Sequence, residues 1–363
     1  MSQDLPLHAL EIEGYRGIGH LRLPRLERVN LFVGLNNAGK TSLLEAIRVQ
    51  ADPQPVSALW DLLRERNEYS SIRRAILRGR QESISEGELA DAARAVESLF
   101  HRVAGNRVSP HAEFTSTGRI SVTTRLSLPW LKDTGTAVPE PTFFSSEDDP
   151  LILVERAGTT STLPVKGFFG YMTPGDDGVV TIGPGGFDGR RISAFWSRAA
   201  GLGQAPLVEE AFRSFLPDAK RIHVLSGAEG FFPVVAVERR GVPRPVPLSE
   251  MGDGTRRVLG IVLAMVNSAG GIIVVDEIEN GLHHSVQGEV WDAIVSLADR
   301  LDVQVFATTH SWDAVVGFQY AANRSPAEGM LYRLDRESDG WIRPVRYTEE
   351  EVAIAAEQQI EVR

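Results

Sequence analysis

The chain has 363 residues, 42% of them hydrophobic, with no cysteine and a formal net charge of -10. That length suggests about two compact bodies, and the lack of cysteine excludes disulfides, thiolate metal sites and a cysteine nucleophile. The acidic balance opposes uniform wrapping by nucleic acid; there is no secretory signal, and the longest strongly apolar run, Val258 to Val266, is too short to span a bilayer, so a cytoplasmic protein without membrane contact is expected.

In chain order, His8 to Ile12 alternates as a strand, and Val29 to Val33 reads as a buried strand running into a glycine-rich turn. Ser42 to Gln50 then places Leu43, Leu44, Ala46 and Ile47 on one helical face and stops before Pro53. The turn between them, Gly34 to Thr41 (GLNNAGKT), has the P-loop pattern in the strand-to-helix setting that the pattern requires. Its glycines let backbone N–H groups turn inward around phosphates, and the helix N-terminus favours the anion. Lys40 is expected to neutralise the β- and γ-phosphates and Thr41 to hold Mg2+. ATP and Mg2+ are therefore the expected ligands.

Residues 55 to 240 read differently. Helix candidates cover 57–78 and 86–103, strand-like runs cover Arg119 to Leu128 and Leu151 to Val154, and 173–190 is mostly turn chemistry. No apolar heptads are sustained, which argues against a long coiled-coil arm. Trp60 to Arg80 carries Arg64, Arg66, Arg73, Arg74, Arg78 and Arg80 with Trp60 and Tyr69 between them. Two readings stand: a nucleic-acid contact by phosphate neutralisation and stacking, or an amphipathic helix with a solvated basic face.

From Pro247 the pattern is that of a parallel α/β sheet: a helix from Gly254 to Val266, a strand from Gly271 to Val275, a helix from Ser285 to Ala298 and a strand from Val303 to Thr308. The first strand ends in Asp276, expected to meet Mg2+, and Glu277, expected to polarise the attacking water. Acids also end strands where a chain merely reaches solvent, and it is the P-loop that favours the catalytic reading. His310 closes VFATTH at a neighbouring strand's C-terminal edge, where ligands collect, and is expected to touch the γ-phosphate. Gly252, Asp253 and Gly254 immediately precede a helix. The chain's own P-loop already serves its nucleotide, so the natural ligand of this second helix start is a partner's nucleotide, with a plain glycine turn as the alternative.

This order of motifs resembles the ABC-type ATPase heads of the RecF, SMC and OLD families. EIEGYRGIG resembles their FRG strand start, VGLNNAGKTSLLEAI their P-loop and helix, and DEIENGLHHSVQ the acidic segment of OLD-like ATPases. The resemblance implies an α/β fold: a head split between 1–54 and 241–346, a large inserted α+β domain over 55–240 and an acidic tail over 347–363. It implies a homodimer in which two heads sandwich two ATP molecules. Gly34, Asn36, Asn37, Ala38, Gly39, Lys40, Thr41 and Ser42 would then bind phosphate and Mg2+, with Asp276 on the metal, Glu277 as base and His310 as sensor. Gly252 to Gly254 would act in trans, Arg16 would approach the nucleotide, and Gln50 would serve as the Q-loop residue at the metal. The usual signature serine is Gly252 here, which implies slow hydrolysis. The short stretch after His310 does not accommodate the TOPRIM nuclease of OLD proteins. The expected role is therefore control of a separately encoded effector, in phage defence or DNA maintenance and repair, with an ATP-gated DNA clamp as the alternative.

Overall fold

The structure, a computed structural model, describes residues 5–66, 86–103, 107–129, 150–164, 178–225, 234–325, 328–337, 340–348 and 351. The elements of the N-terminal half are β1 (Ala9–Tyr15), β2 (Ile18–Leu23), β3 (Val29–Val33), α1 (Lys40–Ala51), α2 (Pro55–Glu65), α3 (Glu86–Glu97), β4 (Arg102–Val103), β5 (Arg107–Val108), β6 (His111–Thr117), β7 (Thr123–Ser127), β8 (Pro150–Arg156) and β9 (Thr159–Pro164). Then follow β10 (Val179–Ile182), α4 (Gly189–Gly201), α5 (Ala205–Phe215), β11 (Ala219–Leu225), β12 (Val234–Arg239), β13 (Val246–Pro247), α6 (Asp253–Asn267), β14 (Ile272–Val275), α7 (Gln287–Arg300), β15 (Gln304–Thr308), α8 (Trp312–Asn323), β16 (Gly329–Arg336) and β17 (Ile342–Tyr347). Contacts divide the chain into two units: Met1–Leu26, Asn36–Gly178 and Leu334–Pro344 in the first, and Glu27–Leu35, Val179–Arg333 and Val345–Arg363 in the second.

The first unit is built on an antiparallel sheet in the order β2-β1-β6-β7-β8-β9. Alternation along β1 buries Leu10 and Ile12, and α1 buries Leu43, Leu44, Ala46 and Ile47, the face that its periodicity predicts. Pro55 stands in the first turn of α2, where its missing N–H costs nothing. The helix expected over 86–103 stops at Glu97, because Phe100 leaves it to bridge Tyr15 of β1.

The second unit holds a sheet in the order β10-β14-β15-β3-β16-β17, parallel from β10 through β16. Both faces are covered, so its strands are continuous apolar runs rather than alternating ones: all residues of β3, β14 and β15 are buried. The helices supply Leu259, Ile261, Trp291 and Phe318 to the same core. A smaller antiparallel sheet, β11-β12-β13, precedes the turn into α6.

One difference from the expected pattern bears on function. Val179 to Ile182, placed in turn chemistry by its sequence, is a strand paired in parallel with β14, from Val179 opposite Ile272 to Ile182 opposite Val275. Four residues between Asp-Asp-Gly and Gly-Pro-Gly-Gly are too few to show a period, and the pairing with β14 decides the outcome. From Val179 onward, the second part of the 55–240 span thus belongs to the unit that contains β3 and β14. Among the described residues no helix is long and apolar enough to cross a membrane.

Candidate functional site

Parallel strands end on one edge, so β3, β14 and β15 deliver their successors to the same edge of the second unit's sheet: Gly34 and Leu35, Asp276 and Glu277, and Thr309 and His310. The acidic segment is stitched to the end of β15. Thr308 Oγ1 donates to Asp276 Oδ1 at 2.5 Å and accepts the Glu277 N–H at 2.9 Å. Glu279 Oε1 accepts the His310 N–H at 2.7 Å, and Asn280 Nδ2 donates to Glu277 Oε2 at 2.6 Å. Glu277 is held at φ +48°, a left-handed backbone that a glutamate adopts only when its surroundings impose it. Asp276 is only 8% exposed.

The glycine-rich start of α6 packs on the same segment. A Cβ at Gly254 would meet the Gly281 carbonyl at 2.7 Å, so the two backbones approach as closely as glycine permits. Arg257, one turn along α6, donates from Nη2 to the carbonyls of Asp276 (2.7 Å) and Glu277 (2.9 Å), and from Nη1 to those of Gly183 (2.5 Å) and Pro184 (3.1 Å). Burial lowers the Arg257 pKa, and the carboxylates of Glu279, Asp276 and Glu277 oppose that shift. Gly252 and Asp253 remain exposed at the helix start. Gly254→Ala is expected to destabilise the protein by about 1–3 kcal/mol through overpacking; a lower urea midpoint at unchanged slope is the check, and an unchanged midpoint would show that the Gly281 turn yields freely.

In the first unit, the turn from Asn36 leads into α1. Gly39 (φ +96°) is its N-cap, and a glycine gives the first turn no side-chain cap. A Cβ at Gly39 would lie 2.5 Å from Ile342 Cδ1, so this glycine is required by packing as well as by its φ. Lys40 is buried and Thr41 exposed.

A family model described as "AAA domain, putative AbiEii toxin, Type IV TA system" matches residues 194–317, the span that holds Gly252 to Gly254, Asp276, Glu277 and His310. An SMC head solved with the C-terminal winged-helix domain of ScpA superposes with a TM-score of 0.55 at 12% identity, covering 96% of this chain and 99% of that one. The SMC head from Thermotoga maritima gives 0.50 at 12% identity, with 94% and 99% covered. An SMC head from Pyrococcus furiosus, bound to the C-terminal domain of ScpA, gives 0.52 at 12% identity, with 98% and 99% covered. The fold is similar to that of SMC head domains. A Helicobacter pylori protein named "ATP/GTP phosphatase" is 38% identical to this chain over 80 residues, which are 21% of each chain, so the match spans about a fifth of that relative's length.

One expected role is corrected by the geometry of α1, and a second residue is placed among other partners. Gln50 cannot share a metal ion with Thr41: at a rise of about 1.5 Å per residue it stands about 13 Å further along α1, beyond the combined reach of the two side chains. It is fully buried and donates to Ser116 Oγ at 2.7 Å and the Val122 carbonyl at 2.6 Å, pinning α1 to β6. Arg16 (φ +48°) is also buried; its Nε lies 2.5 Å from Glu45 Oε2 on α1 and its Nη1 donates to the Ser98 carbonyl, so it braces the helix. In the arginine-rich segment, Arg64 pairs with Asp61 at 2.8 Å and Arg66 with Glu45 at 2.6 Å. Arg73, Arg74, Arg78 and Arg80 lie outside the described residues. Sequence reasoning passed over Thr308 and Arg257, whose partners are backbone groups or residues that only the fold brings near, and over Asn280, which stands three residues from the Glu277 it touches.

Proposed function

We propose that this chain binds and hydrolyses ATP with Mg2+ as a dimer of heads closing around nucleotide, and that closure controls a separately encoded effector. The observation that carries the reading is that the strands leading to the P-loop, to Asp276–Glu277 and to His310 end on one edge of one parallel sheet. Ligands collect at such an edge in open α/β sheets.

In this reading the backbone of Asn36, Asn37, Ala38, Gly39 and Ser42 with the α1 N-terminus cradles the phosphates, and Lys40 neutralises them. The Thr41 hydroxyl and the Asp276 carboxylate are hard oxygen donors that suit Mg2+. The ion, when bound, spreads the charge that develops on the β- and γ-phosphates. Glu277 accepts the proton of the attacking water as its oxygen bonds to the γ-phosphorus and ADP departs. Asn280 occupies one carboxylate oxygen and leaves the other for that water. His310 contacts the γ-phosphate, and the Gly252 to Gly254 helix start, exposed at Gly252 and Asp253, addresses the partner's nucleotide.

The effector reading draws its support from the family model, whose description includes a toxin of a type IV TA system, and from two similar heads that carry a bound ScpA domain. A place in phage defence or DNA maintenance follows the same line. The test is the molar mass in solution of Glu277→Gln with and without Mg·ATP, along with any co-purifying protein. An ATP-dependent doubling is expected. A monomer that binds ATP without gaining mass would rule out head engagement, and DNA binding that appears only with ATP and fades with salt would favour the clamp.

A further inference from the structure

The P-loop contains a left-handed residue that is not glycine: Asn37, at φ +66°, in a region that asparagine enters more readily than other side-chain-bearing residues. Its carbonyl is held from the far end of the chain. Arg336, the last residue of β16, donates from Nη1 to the Asn37 carbonyl at 3.1 Å across a separation of 299 positions. Gly17 makes room for it. A Cβ there would lie 3.0 Å from Nη1 and 3.6 Å from Nη2, so the guanidinium passes close to the glycine that follows Arg16. The neighbouring acids do not claim it: Asp335 and Glu337 face Arg343, at 3.5 and 3.9 Å.

A trans peptide is planar, with C=O and N–H pointing opposite ways, and the described chain has no cis bond. With the Asn37 carbonyl turned to Arg336, the Ala38 N–H of the same peptide faces the other side. In a P-loop, phosphates are held by N–H groups that converge in this way. We infer that Arg336 is a positioning residue of the phosphate cradle: it fixes the 37–38 peptide with the Ala38 N–H toward the phosphates, and its charge polarises that peptide into a better donor. The inference rests on the reading of Gly34 to Thr41 as the ATP site. It places in the C-terminal hairpin the support that the resemblance sought from Arg16.

The test is the affinity for ATP and ADP of the full chain and of Arg336→Ala, Arg336→Lys, Gly17→Val and Lys40→Ala, with steady-state kinetics and the melting temperature without nucleotide. Arg336→Ala is expected to weaken both nucleotides about tenfold, with KM rising by the same factor, kcat at saturating ATP held within about twofold, and unchanged melting. Arg336→Lys recovers most of the loss, because one ammonium donor still reaches one carbonyl, and Gly17→Val reproduces the defect by displacing the guanidinium. Wild-type affinity in Arg336→Ala, with ATP binding lost in Lys40→Ala, would overturn the positioning role and leave the ATP site standing. A lowered melting temperature that Lys does not restore would reduce Arg336 to a structural brace. ATP binding undiminished in Lys40→Ala would overturn both readings.

Discussion

Glu277→Gln is expected to slow ATP turnover about 10²–10⁴-fold, the usual worth of a positioned general base, while ATP affinity stays close to that of the wild type. The substitution keeps the shape of the side chain and removes only its capacity to take a proton. The backbone that presents it, at φ +48° with its N–H on Thr308 Oγ1, does not depend on the carboxylate. Asn280, which donates to Oε2 in the native chain, can donate equally to the glutamine carbonyl oxygen. Lys40→Ala supplies the opposite result: loss of ATP binding, with no species available to turn over. Phosphate release at saturating Mg·ATP, beside equilibrium binding, separates the two. Equal turnover in wild type and Glu277→Gln would remove Glu277 from the chemistry and leave the acidic segment as a strand end that meets solvent.

What could be read from the sequence was whatever is local in it. The P-loop was legible because strand, glycine turn and helix are consecutive, and β14 and β15 because buried parallel strands are unbroken apolar runs. Each then ends in a short polar signal at a strand terminus. Val179 to Ile182 has the same job at the sheet's edge but lies in four residues among glycines and aspartates, where no period shows. Gln50 misled because its type suited a metal and its distance from Thr41 becomes decisive only once α1 is drawn as a helix. The contact of Arg16 was illegible for a different reason: Glu45 lies 29 residues away in the chain and one contact away in the fold. Long side chains that clasp backbone carbonyls leave no mark in a sequence, because a carbonyl is present at every position.

Arg257 is the sharpest instance, and its replacement should have the second large effect. Its guanidinium joins the α6 start that is proposed to face a partner's nucleotide to the carbonyls of Asp276 and Glu277, and so to the proposed metal ligand and base. Arg257→Met fills much of the same volume but leaves four carbonyls without these donors. Each hydrogen bond to a charged group is worth about 1.5–3 kcal/mol, yet their sum overstates the loss, because the cost of burying the charge disappears with it. A fall of about 3 kcal/mol in unfolding free energy is therefore expected, read from urea midpoints. Arg257→Lys should recover little, since one ammonium cannot span carbonyls from two segments as a planar fork does. Turnover should fall further than stability explains, because Glu277 sits in a strained backbone conformation that this clamp helps to hold. Measured at a temperature where both proteins are fully folded, an unimpaired rate in Arg257→Met would show that the acidic segment keeps its shape through Thr308 and His310 alone, and that Arg257 stabilises the fold without transmitting anything from α6 to the base.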